Sequence, residues 1–503
     1  MTVILNTSIP VGVIGAGSMG AGIAQLAAQS GHVVRLCDAN PGAADSGVKR
    51  IAIELEGAVK RGKMDADTRD DVLARIAVAS GVEALGGCGL VVEAIIEKLE
   101  VKQALFRQLE EVVAPDAILA TNTSSISITA VAQGLKWPQR LVGWHFFNPA
   151  TRMKLVEIIP GVETDPALIP AMHALSKAWG KTSVDAPNAP GFIVNRVARP
   201  YYAEGLRLLA ERIAPAAAID RLMREAGGFA MGPFELMDLI GLDVNLSVTE
   251  SVFQATAFDS RYAPNLIQQE LVRSGRFGRK SGRGFYAYGK DVAAPEAATV
   301  APADNAPPLE VPVDAGLLGP LVQRLQSAGA RVDVNEGLPD ETLAIGPTRI
   351  ALTDGRTAAL RSVGGALILL DLARDYAITT ALGATAAGGA SLAELAAVLQ
   401  PAGIALIELD DVAGLVVMRT VSCLANEAAD VMTWTGTQPA DIDIAMVLGT
   451  AYPLGPLAWA DMLGAARVAQ VLANLQAHYG DARYRRAPLL ARLQHTRGRF
   501  HGP

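Results

Sequence analysis

Short apolar runs, each closed by a glycine, an acid or a polar cluster, open the chain, and the segments between them have helical spacing. Pro10 to Gly15 (PVGVIG) predicts a buried strand and Ala21 to Ser30 an Ala-rich helix that Gly31 ends. His32 to Asp38 predicts a second strand closing on an acid. Apolar runs at 89–97, 117–121, 141–146 and 154–159 predict further strands. Beyond Pro190 the pattern changes: Phe192, Val197, Leu206 and Leu209 form an amphipathic stripe, with a kink expected at Pro200, which removes a backbone donor. Asp291 to Pro312, rich in Ala and Pro with few large apolar groups, predicts an interdomain linker. Leu317 to Ala328 then predicts a helix, and 330–334, 342–345 and 366–370 predict strands.

One helical pattern occurs twice. Gly191-Phe-Ile-Val-Asn195-Arg196 returns as Gly414-Leu-Val-Val-Met418-Arg419, and Met231-Gly-Pro233 returns as Leu454-Gly-Pro456, both at an offset of 223 (414 − 191 and 454 − 231). Glu204/Glu427, Asp220/Asp443 and Gly241/Gly464 keep that offset, which chance similarity between helices rarely gives. The second copy has lost polar groups: Asn195 becomes Met418, and the offset puts Ile368 at the position of His145. No histidine lies between His173 and His478, so chemistry is expected in the first half alone.

Composition narrows the class. At 503 residues the chain predicts about two to four domains. A net charge of −7 and a pI near 5.5 argue against nucleic acid or an anionic membrane surface, both of which need clustered positive charge. Cys37, Cys88 and Cys423, widely spaced among apolar or Gly neighbours, read as buried thiols of a reducing compartment rather than disulfides or metal ligands. No export leader and no uninterrupted apolar run of ~20 residues is present, so a cytoplasmic location is expected, with no membrane and no metal.

The glycine turn Gly15-Ala-Gly17-Ser-Met-Gly20, between a strand and a helix, is followed eighteen residues after Gly20 by Asp38 (38 − 20). Strand, glycine turn, helix, strand and terminal acid in that order form the Rossmann dinucleotide-binding unit. Backbone at Gly15 and Gly17 is expected to approach a pyrophosphate, and Gly20 to allow close helix–strand packing. Asp38 would accept hydrogen bonds from the ribose hydroxyls and repel a 2′-phosphate, which favours NAD over NADP. Glu97 and Lys102 are explained about equally well by a surface ion pair. Asn122-Thr-Ser124-Ser125 puts more polar side chains at a strand end than one helix cap needs. His145 lies inside one apolar strand and Glu157 inside the next. A buried carboxylate beside a histidine makes a general base with its orienting partner.

GAGSMG, VVEAIIEKLEVK, NTSS, HFFNP with KLVEII, and PGFIVNR with MGPFELMD, in this order across residues 10 to 288, resemble the L-3-hydroxyacyl-CoA dehydrogenase family. The second helical copy further resembles that family's long bacterial form, associated with phenylacetate breakdown and with 3-hydroxyadipyl-CoA or 3-hydroxybutyryl-CoA. The resemblance implies NAD-dependent oxidation of an acyl-CoA, with His145 as base, Glu157 on its far nitrogen, Ser124 bonding the reacting oxygen and Asn195 holding substrate. It also implies cofactor contacts at Glu97, Lys102, Ser124 and Asn148. Lys60 and Lys63 lie, with Arg61, near where the family meets coenzyme A phosphates, though a solvated face accounts for them equally. In short members two chains pack through their helical domains, so the second copy is expected to act as an internal partner, a pseudo-dimer within one chain, with further homo-oligomerisation open.

The expected architecture is therefore an α/β Rossmann NAD-binding domain at 1–187 and an all-α domain at 188–289. A linker at 290–312, a degenerate α/β unit at 313–403 and a second, non-catalytic helical domain at 404–503 follow. Two other readings compete. Another β-hydroxyacid dehydrogenase on a similar fold would want a lysine base where Asn195 stands, and a nucleotide-binding structural protein would need none of Ser124, His145, Glu157 and Asn195.

Overall fold

A computed structural model describes residues 6–502 except 291 and 294. The chain divides into two compact units, Met1–Arg196 with Ala440–Thr450, and Val197–Pro439 with Ala451–Pro503.

The first unit holds an eight-stranded sheet. Its strands are β1 (Val11–Ile14), β2 (Val34–Cys37), β3 (Ile76–Val78), β4 (Leu90–Glu93), β5 (Ile118–Thr121), β6 (Leu141–Phe146), β7 (Leu155–Pro160) and β8 (Thr182–Asp185), in the order β3-β2-β1-β4-β5-β6-β7-β8. All neighbours run parallel except β6 and β7. Strands β1, β4 and β5 are buried along their whole length, as expected of a parallel sheet covered on both faces, and this is why they read as unbroken apolar runs. The strand order reverses between β1 and β4, and the carboxyl ends flanking that point form the crevice in which doubly wound folds bind ligands. Small residues bring helix Ser18–Gln29 close: a Cβ on Gly22 would lie 3.1 Å from the Ala150 Cβ.

The second unit combines helices with a seven-stranded mixed sheet of β9 (Leu309–Val311), β10 (Val332–Val334), β11 (Thr342–Ile345), β12 (Thr348–Leu352), β13 (Leu367–Leu370), β14 (Ala381–Ala387) and β15 (Ala405–Glu408), ordered β10-β9-β11-β12-β13-β14-β15. Two expected boundaries move. The predicted linker at 290–312 contains residues 291 and 294, which lie outside the described residues, and its far end is strand β9: Leu309 and Val311 are buried and pair with β10, a signal hidden between prolines. The α/β unit does not end at 403, because β15 pairs in parallel with β14. The predicted kink at Pro200 is a break, with helices Val194–Val197 and Arg199–Ala210 meeting at Ala198.

The position facing that of His145 is also corrected. Leu155 pairs with Thr182 and Ala381 with Ala405, so the offset is 226 at β7/β14 (381 − 155) but 223 at β8/β15 (405 − 182). The connection before β15 is three residues shorter, and a gapless offset therefore misaligns everything ahead of it. Asp371, not Ile368, stands where His145 stands (371 − 145 = 226), and Gly383 stands where Glu157 stands (383 − 157 = 226); the Asp371 N–H donates to the Gly383 carbonyl at 2.8 Å. In the first unit Glu157 accepts the N–H groups of Ile193 and Val194, each at 3.0 Å. In the second, Asp371 accepts those of Val416, Val417 and Met418 at 2.7–3.0 Å. Both helix starts use a left-handed pair, Gly191-Phe192 (φ 75° and 49°) and Gly414-Leu415 (φ 82° and 54°), to turn these amides toward a carboxylate. Burial pushes the Asp371 carboxyl up to about 6 against the pull of its amide donors.

Within the second unit, helix Arg199–Ala210 packs on helix Val417–Thr435 through buried charges. Arg419, with no exposed surface, donates to Glu204 at 2.7 Å, Glu211 at 3.0 Å and the Tyr484 hydroxyl at 2.7 Å. Tyr484 donates to Glu204 at 3.1 Å, and Tyr262 donates to Glu427 at 2.5 Å. Each tyrosine closes an Asp-x-Arg-Tyr turn and reaches a glutamate of the other helical segment, and Glu204 and Glu427 are 223 apart (427 − 204). Burial opposes ionisation of Glu204, but the guanidiniums of Arg207 and Arg419 outweigh it and hold the carboxyl at about 2, below its ordinary 4.5. A depressed carboxylate contributes stability that is fully present above about 4.5 and is lost as pH falls toward about 2, in all about 3 kcal/mol. We expect thermal melts between about pH 3 and about pH 6 to show that loss, and Glu204→Gln to lower Tm at the upper pH while weakening the acid dependence by the share that Glu204 carries. An identical pH dependence in the two proteins would contradict the assignment.

Candidate active site

The glycine turn closes β1 onto helix Ser18–Gln29. Gly15 takes φ 94°, and a Cβ there would lie 2.4 Å from the Ala94 carbonyl; one on Gly20 would lie 1.7 Å from the Gly15 carbonyl. These two glycines are required by backbone packing. Gly17 faces open space, with nothing within 4 Å of a Cβ, and no side chain caps the helix it begins. That is the open cradle, with uncapped amides, that a pyrophosphate fits. Asp38 sits beside it, taking the Ala16 N–H at 2.8 Å on one oxygen and the Asn40 N–H at 2.9 Å on the other. A half-buried acid fixed by two amides at the end of β2 suits a pair of ribose hydroxyls.

At the ends of β4 and β5 Glu97 and Lys102 do form an ion pair, with Glu97 exposed but Lys102 buried. Lys102 is 1% exposed and reaches Glu93 at 2.6 Å and Glu97 at 3.2 Å. Glu93, fully buried, also takes the Thr121 hydroxyl and the Ile95 N–H. Glu93 is a residue that sequence reasoning missed, and the only signal for it is an acid inside the apolar run 89–97. Glu97 accepts the Thr123 hydroxyl at 2.6 Å and the Ser124 N–H at 2.8 Å, with the Ser124 hydroxyl at 3.2 Å. Burial would raise its carboxyl, but Lys102 and these donors hold it below the ordinary range. Asn195 joins the cluster, its Nδ2 lying 3.3 Å from the Ser124 carbonyl.

His145 and Glu157 face each other across the β6–β7 ladder, Nδ1 to Oε2 at 2.6 Å. Both are buried, and the rings of Phe147 and Phe192 flank the imidazole with centroids at 4.5 and 5.8 Å. The other carboxylate oxygen is taken by the two amides that open helix Val194–Val197. Two backbone N–H groups converge on one oxygen of Glu157, which makes it an acceptor, and its other oxygen faces Nδ1. The network therefore puts the imidazole proton on Nδ1 and leaves the Nε2 lone pair free to take a proton. The same short segment thus ties Glu157, through Val194, to Ser124, through Asn195.

Asn148 follows β6, and its Oδ1 lies 3.3 Å from the Ser18 hydroxyl on the first turn of the glycine-capped helix. The loop carrying Asn148 is pinned by Lys181, which sequence did not single out. Its buried ammonium donates to the carbonyls of Ala150 at 2.5 Å and Met153 at 2.8 Å, and burial, then Lys154, brings it down to about 8. Lys60 and Lys63 are not drawn into these clusters. Both are exposed, and Lys60 lines an open cavity of about 650 Å³ with Ile53, Gly57, Arg69 and Leu73, its ammonium 3.7 Å from Glu56. The three cysteines are buried and free, no described helix is long and apolar enough to cross a membrane, and among the described residues no group of three or more His, Cys, Asp and Glu is placed to hold a metal.

Comparison with known proteins matches most of the chain to family models. The 3-hydroxyacyl-CoA dehydrogenase NAD-binding domain matches residues 10–189, and the C-terminal domain of that family matches residues 191–288 and again 414–499. A 3-hydroxybutyryl-CoA dehydrogenase reduced Rossmann-fold domain matches residues 350–412. The 3-hydroxyadipyl-CoA dehydrogenase of Escherichia coli (strain K12) is 41% identical over 485 residues, covering 95% of this chain and 96% of the relative. A probable 3-hydroxybutyryl-CoA dehydrogenase of Bacillus subtilis is 41% identical over 276 residues, 55% of this chain and 96% of its own. The crystal structure of 3-hydroxybutyryl-CoA dehydrogenase from Escherichia coli K12 superposes with a TM-score of 0.89 at 39% identity, covering 98% of this chain and 99% of that one.

Proposed function

The chain belongs to the 3-hydroxyacyl-CoA dehydrogenase family of NAD-dependent oxidoreductases, and from that premise we propose that it oxidises an (S)-3-hydroxyacyl-CoA to the 3-oxoacyl-CoA at one site in its first half, in fatty acid or aromatic (phenylacetate) breakdown. The observation that carries this reading is the His145–Glu157 pair, with its carboxylate held from behind by two amides. Nε2 of His145 takes the proton from the substrate 3-hydroxyl. Glu157 keeps the ring oriented and stabilises the imidazolium that results. The Ser124 hydroxyl and the Asn195 amide, brought together at the head of the helical segment, donate to the substrate oxygen as its charge develops, without competing for the proton. Bound NAD supplies the acceptor for the hydride that leaves C3. Gly15, Gly17 and Gly20 shape its cradle, Asp38 takes the ribose, and Glu97, Lys102 and Asn148 position the cofactor end near His145. Lys60 and Lys63 are available to coenzyme A phosphates from the surface. Buried thiols suit a reducing cytoplasm.

We further infer that residues 414–499 are a second copy of the helical domain, kept as an internal partner. Its support is the shared family match, the left-handed pair at both helix starts and the reciprocal tyrosine–glutamate contacts. Asp371 does for it the anchoring that Glu157 does for the first copy, and with no imidazole that anchoring is all it does.

Steady-state assays test the reading. Wild type is expected to reduce NAD with 3-hydroxybutyryl-CoA or 3-hydroxyadipyl-CoA and to use NADP poorly, and Asp38→Ser to narrow that gap mainly by weakening NAD. Absence of turnover on every 3-hydroxyacyl-CoA, or equal kcat/KM with the two cofactors in wild type, would overturn it.

A further inference from the structure

Residues Ala440–Thr450 come from the second helical segment, yet they belong to the unit that holds His145 and Glu157. They form helix Pro439–Thr450, whose buried Ile442, Ala445 and Met446 share one face with Gly449 at spacings of three, four and seven. A Cβ on Gly449 would lie 2.8 Å from a Leu155 methyl and 3.0 Å from a Val194 methyl. Leu155 is two residues before Glu157 on β7 and so shares its face of the sheet, and the Val194 N–H is one of the two that hold Glu157. At the other end of the helix the Asp441 carboxyl is raised by burial and then by Asp185 of β8. The helix therefore lies along β7 and β8, on the elements that fix the carboxylate behind the imidazole.

The second unit contains the mirror of this arrangement. Helix Ala216–Glu225, from the first helical segment, packs on β14, where Leu222 lies 3.0 Å from the Cβ position of Gly383, the counterpart of Glu157. Each α/β unit is thus backed by a helix from the opposite copy. In the second unit it backs a glycine and an anchoring aspartate. In the first it backs the proposed catalytic pair.

We propose that Gly449 is a positioning residue for the dehydrogenase reaction: the second copy, devoid of its own chemistry, supplies the helix that seats Leu155 and Val194 and thereby holds Glu157 against His145. This rests on the reading of His145 and Glu157 as base and orienting partner. A Cβ here meets the Leu155 and Val194 methyls, and to the extent that they cannot yield the push passes to β7 and to the amide-bearing turn; a displacement of about 1 Å at a catalytic group costs about a hundredfold in rate. The stiff, β-branched Val194 cannot swing aside, whereas Leu155 can be trimmed.

In the full-length protein Gly449→Val is expected to lower kcat about ten- to hundredfold with the NAD dissociation constant unchanged, and Gly449→Ala about threefold. Adding Leu155→Ala should bring Gly449→Val to within about threefold of Leu155→Ala alone and should leave Gly449→Ala with Leu155→Ala indistinguishable from Leu155→Ala alone. If Gly449→Val does not fold, Gly449→Ala with and without Leu155→Ala gives the same reading. Wild-type kcat in the glycine variants, a parallel loss of NAD binding, or a loss that Leu155→Ala does not relieve would overturn the proposal. The two ideas fail separately. Normal turnover by His145→Gln removes the pair itself, while a dead His145→Gln beside fully active Gly449 variants removes only the brace.

Discussion

Replacing His145 by glutamine is expected to lower kcat by about two to four orders of magnitude while leaving NAD affinity nearly unchanged, because the amide keeps the volume of the ring but has no lone pair basic enough to take the hydroxyl proton. The partners of His145 are Glu157 and the rings of Phe147 and Phe192, none of which belongs to the glycine cradle, so cofactor binding is expected to change little. Glu157→Gln should cost less, since the imidazole remains, but the cost should be substantial. The two N–H groups of Ile193 and Val194 would still find the amide oxygen, which turns the amide nitrogen toward Nδ1. That donor favours the tautomer with its proton on Nε2, the wrong one for a base. Stopped-flow and steady-state NADH formation with one 3-hydroxyacyl-CoA, alongside NAD titration, separate these effects. Near-normal turnover by His145→Gln would remove the mechanism.

How much of this was legible in the sequence depends on whether a residue type had one physical explanation. The glycine turn, Asp38 and the His145–Glu157 pair were legible because each is costly or useless outside the arrangement it implies: a buried carboxylate needs a partner, and β6 and β7 had to bring it one. Glu93 and Lys181 were not legible. A single acid in an apolar run, or a lysine after Gly180, gives no periodicity, and only tertiary packing shows both to be buried and hydrogen-bonded. The second α/β unit was read poorly for a related reason. Strand β14, Ala-Leu-Gly-Ala-Thr-Ala-Ala, has little of the branched and aromatic character that marks a strand, and it holds its place through β13 and β15. Counting residues from the helical repeat put Ile368 opposite His145 because a three-residue shortening ahead of β15 leaves no trace in the apolar pattern. Nor does helical periodicity say which unit a helix covers, so the place of helix Pro439–Thr450 beside β7 came only from the structure.

A chain ending after Lys290 is expected either to dimerise through the face of helix Arg199–Ala210 or to aggregate. That face carries Glu204 and Glu211, which in the full chain meet the fully buried Arg419, together with Arg261 and Tyr262, whose partners Glu427 and Asp430 would be gone. Removing one side of a buried charged network costs about 3–5 kcal/mol, because the remaining charges lose their partners before they regain full hydration. The apolar surface between them is also left uncovered. A second truncated chain can offer the same surface in reverse, since Glu204 and Tyr262 are what the second copy presents as Glu427 and Tyr484. The truncated chain also lacks helix Pro439–Thr450, so its turnover should fall unless the dimer supplies an equivalent helix. Light scattering coupled to size exclusion, with kcat measured on the same fractions, checks both points. A soluble, monomeric and fully active 1–290 chain would refute the internal-partner reading, and calorimetry giving two NAD sites per full-length chain would refute the claim that the second half has no site of its own.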